Sequence, residues 1–159
     1  MSLRPERRRA SGSSRALLAL VALGGCGPST VVELAPPLSV VDTYPGNGTR
    51  LPGAEVTHLE VVFSEAVEGG AALEALKLEA VTSSDDVEAR YALLADTDRA
   101  EDGFDDELLT LSTRIGEPSL DGALPDDARF RLTISAGLTA RSGSVLPVDV
   151  IRRFTTEGP

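Results

Sequence analysis

Few side chains in these 159 residues could do chemistry: one cysteine, one histidine and one dense acidic run. Cys26 follows directly on an apolar stretch and sits among Gly24, Gly25 and Gly27, so its thiol lies on an unobstructed backbone. A lone cysteine forms no intramolecular disulfide, which leaves modification or an intermolecular bond. His58 has no second histidine with which to share a metal. Catalysis at His58 would need a nucleophile and an orienting acid around it. In an extended segment Glu60 falls on the same side as His58, and that pattern predicts an exposed or pairing strand residue rather than a catalyst.

The acidic run over 96–107 reads Asp96-Thr97-Asp98-Arg99-Ala100-Glu101-Asp102-Gly103-Phe104-Asp105-Asp106-Glu107. Ca²⁺ takes six to eight oxygen ligands, which makes Asp96, Asp98, Asp102 and Asp105 the candidate ligands. An EF-hand frame begun at Asp96 puts Glu101 where the sharp-turn glycine belongs, and one begun at Asp98 puts Leu109 where the bidentate glutamate belongs. Two readings stay open: an irregular Ca²⁺ or small-ligand site, or a solvated loop between strands. Tyr91 to Asp98 also resembles the strand and Asp-x-Asp start of haloacid-dehalogenase-like phosphatases. Ala100, however, stands where that chemistry needs Thr or Val, and the alternating helices and parallel strands of that fold are not indicated. No Gly-x-Ser-x-Gly, His-Glu-x-x-His, phosphate-binding glycine loop or Cys-x-x-Cys occurs. The sequence predicts a protein that is not an enzyme and carries no cofactor.

Charge narrows the partners. The whole chain is at −10, but five arginines (Arg4, Arg7, Arg8, Arg9 and Arg15) and one acid (Glu6) lie in residues 1–25. Residues 26–159 therefore hold ten basic and 24 acidic side chains, a net −14. Such a surface repels phosphate backbones, which excludes nucleic acid, and it keeps an exposed domain soluble.

Behind the arginines, Ala16 to Leu23 is apolar throughout, giving the two parts of a secretory signal over residues 1–25. It is far short of the ~20 residues that span a bilayer. Leu23-Gly24-Gly25-Cys26 resembles the lipobox of a bacterial lipoprotein, although Gly24 stands where that family more often has Ala or Ser. The resemblance implies a diacylglycerol on the Cys26 thiol, cleavage after Gly25 and a fatty acyl chain such as palmitate on the new amine. The membrane is then a partner, since two or more chains at ~0.8 kcal/mol per buried CH₂ make attachment effectively permanent. Gly27, in place of the Asp of inner-membrane lipoproteins, implies the outer membrane of the envelope. Arg7-Arg8-Arg9 lacks the rest of a twin-arginine signal, so the general export route is expected. Residues 26–37, with Pro28, Pro36 and Pro37, read as a tether; its eleven residues after Cys26 reach at most roughly 34 Å at ~3.1 Å each.

The domain expected over 38–159 is all-β. Leu38 to Asp42 is a first strand candidate, closed by the turn cluster Tyr44-Pro45-Gly46-Asn47-Gly48. Thr57, Leu59, Val61 and Phe63 alternate with His58, Glu60 and Val62. Residues 71–81 carry both helical and strand spacing and are read as a short helical turn followed by a strand. Further strands are predicted over 87–93 and 108–113. In the next, Phe130, Leu132 and Ile134 point in while Arg129, Arg131 and Thr133 point out. Leu138 to Leu146 bends through Ser142-Gly143, and Val148 to Thr156 closes the chain. About seven short strands with frequent turns indicate an antiparallel sandwich. Aromatics are 4% and Trp is absent, so Val, Leu, Ile and Ala must fill the core.

Three pieces in order, Pro45-Gly46-Asn47-Gly48, Val61-Val62-Phe63-Ser64-Glu65-Ala66-Val67 and Phe154-Thr155-Thr156, resemble the bacterial Ig-like domain of the SbsA type. The resemblance covers 38–157, and Arg141-Ser142-Gly143-Ser144 replaces the family's Asp-x-x-Gly-Asn. It implies an Ig-like sandwich acting as a structural or adhesive module, with another envelope protein or a polysaccharide as partner. The Phe-Ser-Glu strand is also similar to that of CopC-type copper proteins, but one histidine does not supply nitrogen-rich copper coordination.

Overall fold

The computed structural model describes residues 36–96, 107–119 and 122–158. Cys26, Gly25, Asp98, Asp102 and Asp105 lie outside these residues. In chain order the elements are β1 (Val40–Tyr44), β2 (Arg50–Pro52), a 3-10 turn (Gly53–Glu55), β3 (His58–Glu68), α1 (Gly69–Ala75), β4 (Leu76–Val81) and β5 (Val87–Tyr91). β6 (Leu93–Ala95), β7 (Glu107–Ile115), β8 (Arg129–Ile134) and β9 (Val150–Glu157) follow. They form two sheets, one in the order β1-β3-β7-β6 and the other in the order β2-β9-β8-β4-β5. Among the described residues no helix is long and apolar enough to cross a membrane.

Period-two alternation decides which face of each strand is buried. On β3, Leu59, Val61, Phe63 and Val67 are buried while His58, Glu60 and Val62 are half-buried on the other side. On β8, Phe130, Leu132 and Ile134 are buried and Arg129, Arg131 and Thr133 are not. The two inward faces meet in one core that joins Leu59, Val61 and Leu111 of the first sheet to Leu78, Leu132 and Ile134 of the second. The expected all-β sandwich is what the chain forms. Within that core, Phe130 stacks on Phe154 at 5.2 Å and meets Tyr91 edge-on at 5.7 Å. Three of the six aromatics thus meet between β5, β8 and β9, Phe63 enters the core from β3, and aliphatic side chains fill most of the rest.

The helical turn and strand expected over 71–81 are present, with the helix starting at Gly69. Glu68 caps α1, its carboxylate accepting the amides of Gly70 at 2.9 Å and Ala71 at 2.6 Å. This satisfies amides that a helix start leaves without intrahelical partners.

Three expectations are corrected. Among the described residues nine strands form rather than about seven, because β2 and β6 are three residues each, too short to show alternation. The sandwich is not wholly antiparallel: β2 runs parallel to β9, Leu51 opposite Thr156, as an edge strand on which Pro52 is tolerated. The first strand starts at Val40, not Leu38, although Leu38 is fully buried. The bend expected through Ser142-Gly143 is present: Leu138 to Leu146 is a loop closed by single bridges, Thr139 to Val145 and Val67 to Ala140, with Gly143 at φ +91°.

Gly53 marks the tightest approach between connections. Its amide donates to Asp126 Oδ1 at 3.1 Å, and a Cβ there would stand 2.5 Å from the Leu124 carbonyl oxygen and 2.9 Å from that of Pro125. Both neighbours are backbone and have little room to give. Gly53→Ala is expected to lower stability by about 1–3 kcal/mol through overpacking. Phe130→Ala, which empties a fully buried site, is expected to cost about 3–5 kcal/mol. Chemical denaturation of the two variants checks both values and their order.

Candidate functional site

Of the residues picked out for chemistry, the structure describes two. Asp96, at the end of β6, is buried, and its Oδ1 lies 4.0 Å from Arg114 Nε of β7. Among the described residues no three Asp, Glu, His or Cys side chains converge as a metal site. His58 stacks on Tyr44 with ring centroids 5.1 Å apart and turns Nε2 to Glu60 Oε1 at 3.5 Å. Its Nδ1 is buried and meets no hydrogen-bond partner among the described residues. The expected same-face relation of His58 and Glu60 is therefore real, and an aromatic ring lies against the imidazole. Elsewhere, the Ser142 hydroxyl donates to the Glu65 carboxylate and lies 3.0 Å from Ser144 Oγ. Hydrogen bonding from Ser142, and then from Ser144, holds the Glu65 carboxyl below its ordinary value, and the Ser142 bond fastens the 138–146 loop to β3.

The densest polar arrangement lies on the outward face of the second sheet, and it begins with register. Glu79 of β4 is opposite Arg90 of β5 on one side and Arg131 of β8 on the other. Arg131 is in turn opposite Arg153 of β9. One row of side chains therefore crosses four strands in the order Arg90, Glu79, Arg131, Arg153. Glu79 is only 8% exposed, and an ionised carboxylate so placed must be paired. Arg131 donates to Glu79 Oε2 from Nη2 at 2.6 Å and from Nε at 3.1 Å, and Arg90 Nε donates to Oε1 at 3.1 Å. Charge-assisted, multidentate contacts of this kind are the stronger class of hydrogen bond. The Arg131 bonds, and then Arg90, hold the Glu79 carboxyl below the ordinary 4.5 despite the opposing effect of burial.

Asp85 extends the row. It sits in the β4–β5 turn, and its Oδ2 accepts Arg131 Nη1 at 3.2 Å and Arg153 Nη2 at 2.7 Å. The two arginines that register places side by side are thus bridged by one carboxylate rather than left to repel. Arg153 is the main reason the Asp85 carboxyl lies below its ordinary value. Asp85 has φ +70°, a conformation uncommon outside glycine but tolerated by Asp. Thr82 organises the same turn: its Oγ1 accepts the amides of Ser84 and Asp86, and its own amide donates to the Asp86 carbonyl.

Beside this row lies an open cleft of about 490 Å³. The 82–85 turn forms one wall and Gly48 to Arg50 the other, with Arg129 of β8 and Arg153 and Thr155 of β9 between them. The second wall is tied to β9: Gly48 N donates to the Arg153 carbonyl, Arg153 N to Asn47 Oδ1, and Thr155 N to the Thr49 carbonyl. Reading the sequence alone does not find Glu79, Asp85, Arg131 and Arg153 as a group. The available signal was the outward parity of Arg129 and Arg131, without the register that brings Glu79 and Arg153 to them.

No protein-family model matches the chain, and no curated protein matches it. Among solved structures it is similar to the N-terminal part of the bacterial S-layer protein SbsC, at 16% identity and a TM-score of 0.48 over 78% of this chain and 24% of that one. It is likewise similar to the S-layer protein rSbsC(31-844), at 16% identity and a TM-score of 0.48 over 78% of this chain and 14% of that one. For domains 1-6 of surface layer protein SbsC the identity is 16% and the TM-score 0.49, over 79% of this chain and 14% of that one. The chain spans a quarter or less of the length of these structures.

The ion-pair row has a pH signature. A carboxyl whose value in the folded state is depressed contributes stability that is present above its unfolded value and is lost as pH falls through the folded one. For Glu79 the loss begins near 4.5 and continues at lower pH. Melting temperatures measured from pH 6 to pH 2.5 are expected to fall most steeply below that point. Glu79→Gln is expected to be less stable at pH 6 and to show a shallower acid slope. Equal slopes in the two proteins would remove Glu79 from the acid response.

Proposed function

We propose that the chain is a lipid-anchored cell-envelope protein whose Ig-like sandwich is a non-catalytic structural or protein-interaction module of the adhesion type. The observation that carries this reading is Leu23-Gly24-Gly25-Cys26 placed directly after the apolar run from Ala16 and ahead of a two-sheet domain. On this reading residues 1–25 are removed, Cys26 carries the lipid, and the domain sits within roughly 34 Å of the membrane, the reach of eleven extended residues. The outer membrane is the proposed location, from Gly27.

The domain suits passive service. Its net charge is large and negative, which favours solubility over self-association. The turn at Pro45 to Gly48 and the strand ending Phe154-Thr155-Thr156, which carry the Ig-like resemblance, are hydrogen-bonded to one another through Gly48, Thr49, Arg153 and Thr155. The turn after β1 and the last strand are thereby locked together, which suits a module that bears load. Partners would be reached through loops and sheet edges, and another envelope protein or a polysaccharide is the proposed class.

Cys26→Ala tests the anchor. The parent protein is expected in the membrane fraction at a mass raised by its acyl chains, and the variant is expected either unprocessed or released in soluble form. Finding the variant membrane-bound at the normal mature mass would overturn the lipoprotein reading.

A further inference from the structure

The cleft between the 82–85 turn and the Gly48–Arg50 wall has no part in that reading, and its charge runs against that of the chain. Residues 26–159 hold only ten basic side chains. Six of them, Arg50, Lys77, Arg90, Arg129, Arg131 and Arg153, occupy outward positions of the second sheet. Glu79 and Asp85 engage Arg90, Arg131 and Arg153. Arg129 is exposed and has no carboxylate within ion-pairing distance among the described residues. Arg50 touches Glu157 at 3.6 Å with both side chains well exposed, a contact that a better anion displaces easily. Concentrating scarce cations at one spot of an acidic domain needs a reason.

Register supplies the geometry. Arg129 and Arg50 both lie opposite Thr155, from the two sides of β9, so two strand spacings of about 4.8 Å separate their backbones. Arg153 is two residues from Thr155 on the same face of β9. Arg50, Arg129 and Arg153 therefore line one cleft with Thr49, Ser83, Ser84 and Asp85, and Val81, Phe130 and Phe154 give it an apolar part. Its volume of about 490 Å³ lies within the ~300–1,000 Å³ of small-molecule sites. Both walls are fixed by internal hydrogen bonds, so little ordering is left for a ligand to impose.

We propose that this cleft binds a phosphate ester on a small polar body of sugar or polyol size. Guanidinium forks match carboxylate and phosphate alike, but Arg129 and Arg50, with Arg153 beside them on Asp85, suit three terminal oxygens and a double charge better than the two oxygens of one carboxylate. A phosphate monoester brings three terminal oxygens and a charge near −2. Arg129 and Arg50 take the phosphoryl oxygens, Arg153 contributes from its place beside Asp85, and the hydroxyls of Ser83, Ser84 and Thr49 face the polar body. A turn on either side makes the site a bounded cleft rather than a flat basic face, which favours a small ester over a lipid surface.

Calorimetric titration of the full chain with glucose 1-phosphate, glucose and inorganic phosphate tests the assignment, with Arg129→Gln as the variant and Arg152→Gln as the control. Saturable binding of glucose 1-phosphate is expected, weakened about tenfold or more in Arg129→Gln and kept in Arg152→Gln. Glucose is expected not to bind, and inorganic phosphate to bind more weakly than the ester. A melting curve for Arg129→Gln matching the parent shows that the variant is folded. No binding of the ester or of phosphate up to about 10 mM, or binding that Arg129→Gln leaves intact, overturns the proposal. So does binding confined to phosphatidylglycerol vesicles, which would assign the basic face to a membrane surface.

Discussion

Glu79 sets a constraint that much of the second sheet answers. A carboxylate almost wholly withdrawn from solvent is tolerable only if cations reach it with good geometry. Here they come from both neighbouring strands: Arg90 from β5, eleven residues away, and Arg131 from β8, 52 residues away. Because side chains alternate strictly, sliding β4 by one residue against β8 would turn Glu79 into the apolar core and lift Leu78 or Ala80 out of it. The ion pair and the core therefore specify the same register from opposite faces. Replacing such a pair by apolar residues often costs no stability, whereas removing one partner leaves a buried charge uncompensated.

The consequences spread outward along the row. Arg131 has donors to spare after Glu79, and it uses them on Asp85, which also gathers Arg153 from β9. That bridge holds a non-glycine residue at positive φ and gives the β4–β5 turn a fixed position over the sheet. Opposite it, the 45–49 turn is pinned to β9 by backbone bonds and by Asn47. The cleft is what lies between two turns immobilised for separate reasons. On the outward face of the first sheet lie the Tyr44–His58 stack and the His58–Glu60 contact.

Much of this was legible from residue order. The alternation of β3 and β8, the helical turn before β4 and the sandwich itself follow from apolar periodicity and turn residues. So does the outward placement of Arg129 and Arg131. What periodicity does not carry is pairing between distant strands. Glu79 and Arg131 each read as an ordinary outward residue until β4 and β8 are known to be neighbours. β2 escaped because three residues between a turn cluster and Pro52 show no period, and its parallel alignment with β9 depends on the whole chain path. Leu138 to Leu146 bends through Ser142-Gly143 as its residues indicate, and its apolar positions, Leu138, Ala140 and Leu146, are buried by packing of a loop rather than by a ladder. Apolar spacing reports burial, and a well-packed loop meets the same requirement.

The central structural claim is that one row of charges positions the β4–β5 turn and hence one wall of the cleft. Amide hydrogen exchange at Ser84, Asp85 and Asp86, compared between the parent and Arg131→Met, tests it most directly. These amides donate to Thr82 within the turn. In Arg131→Met their protection should fall by an order of magnitude or more, while the amides of Leu59 and Leu111 in the first sheet stay as protected as in the parent. Unchanged protection in the turn, or an equal loss across both sheets, would contradict the account.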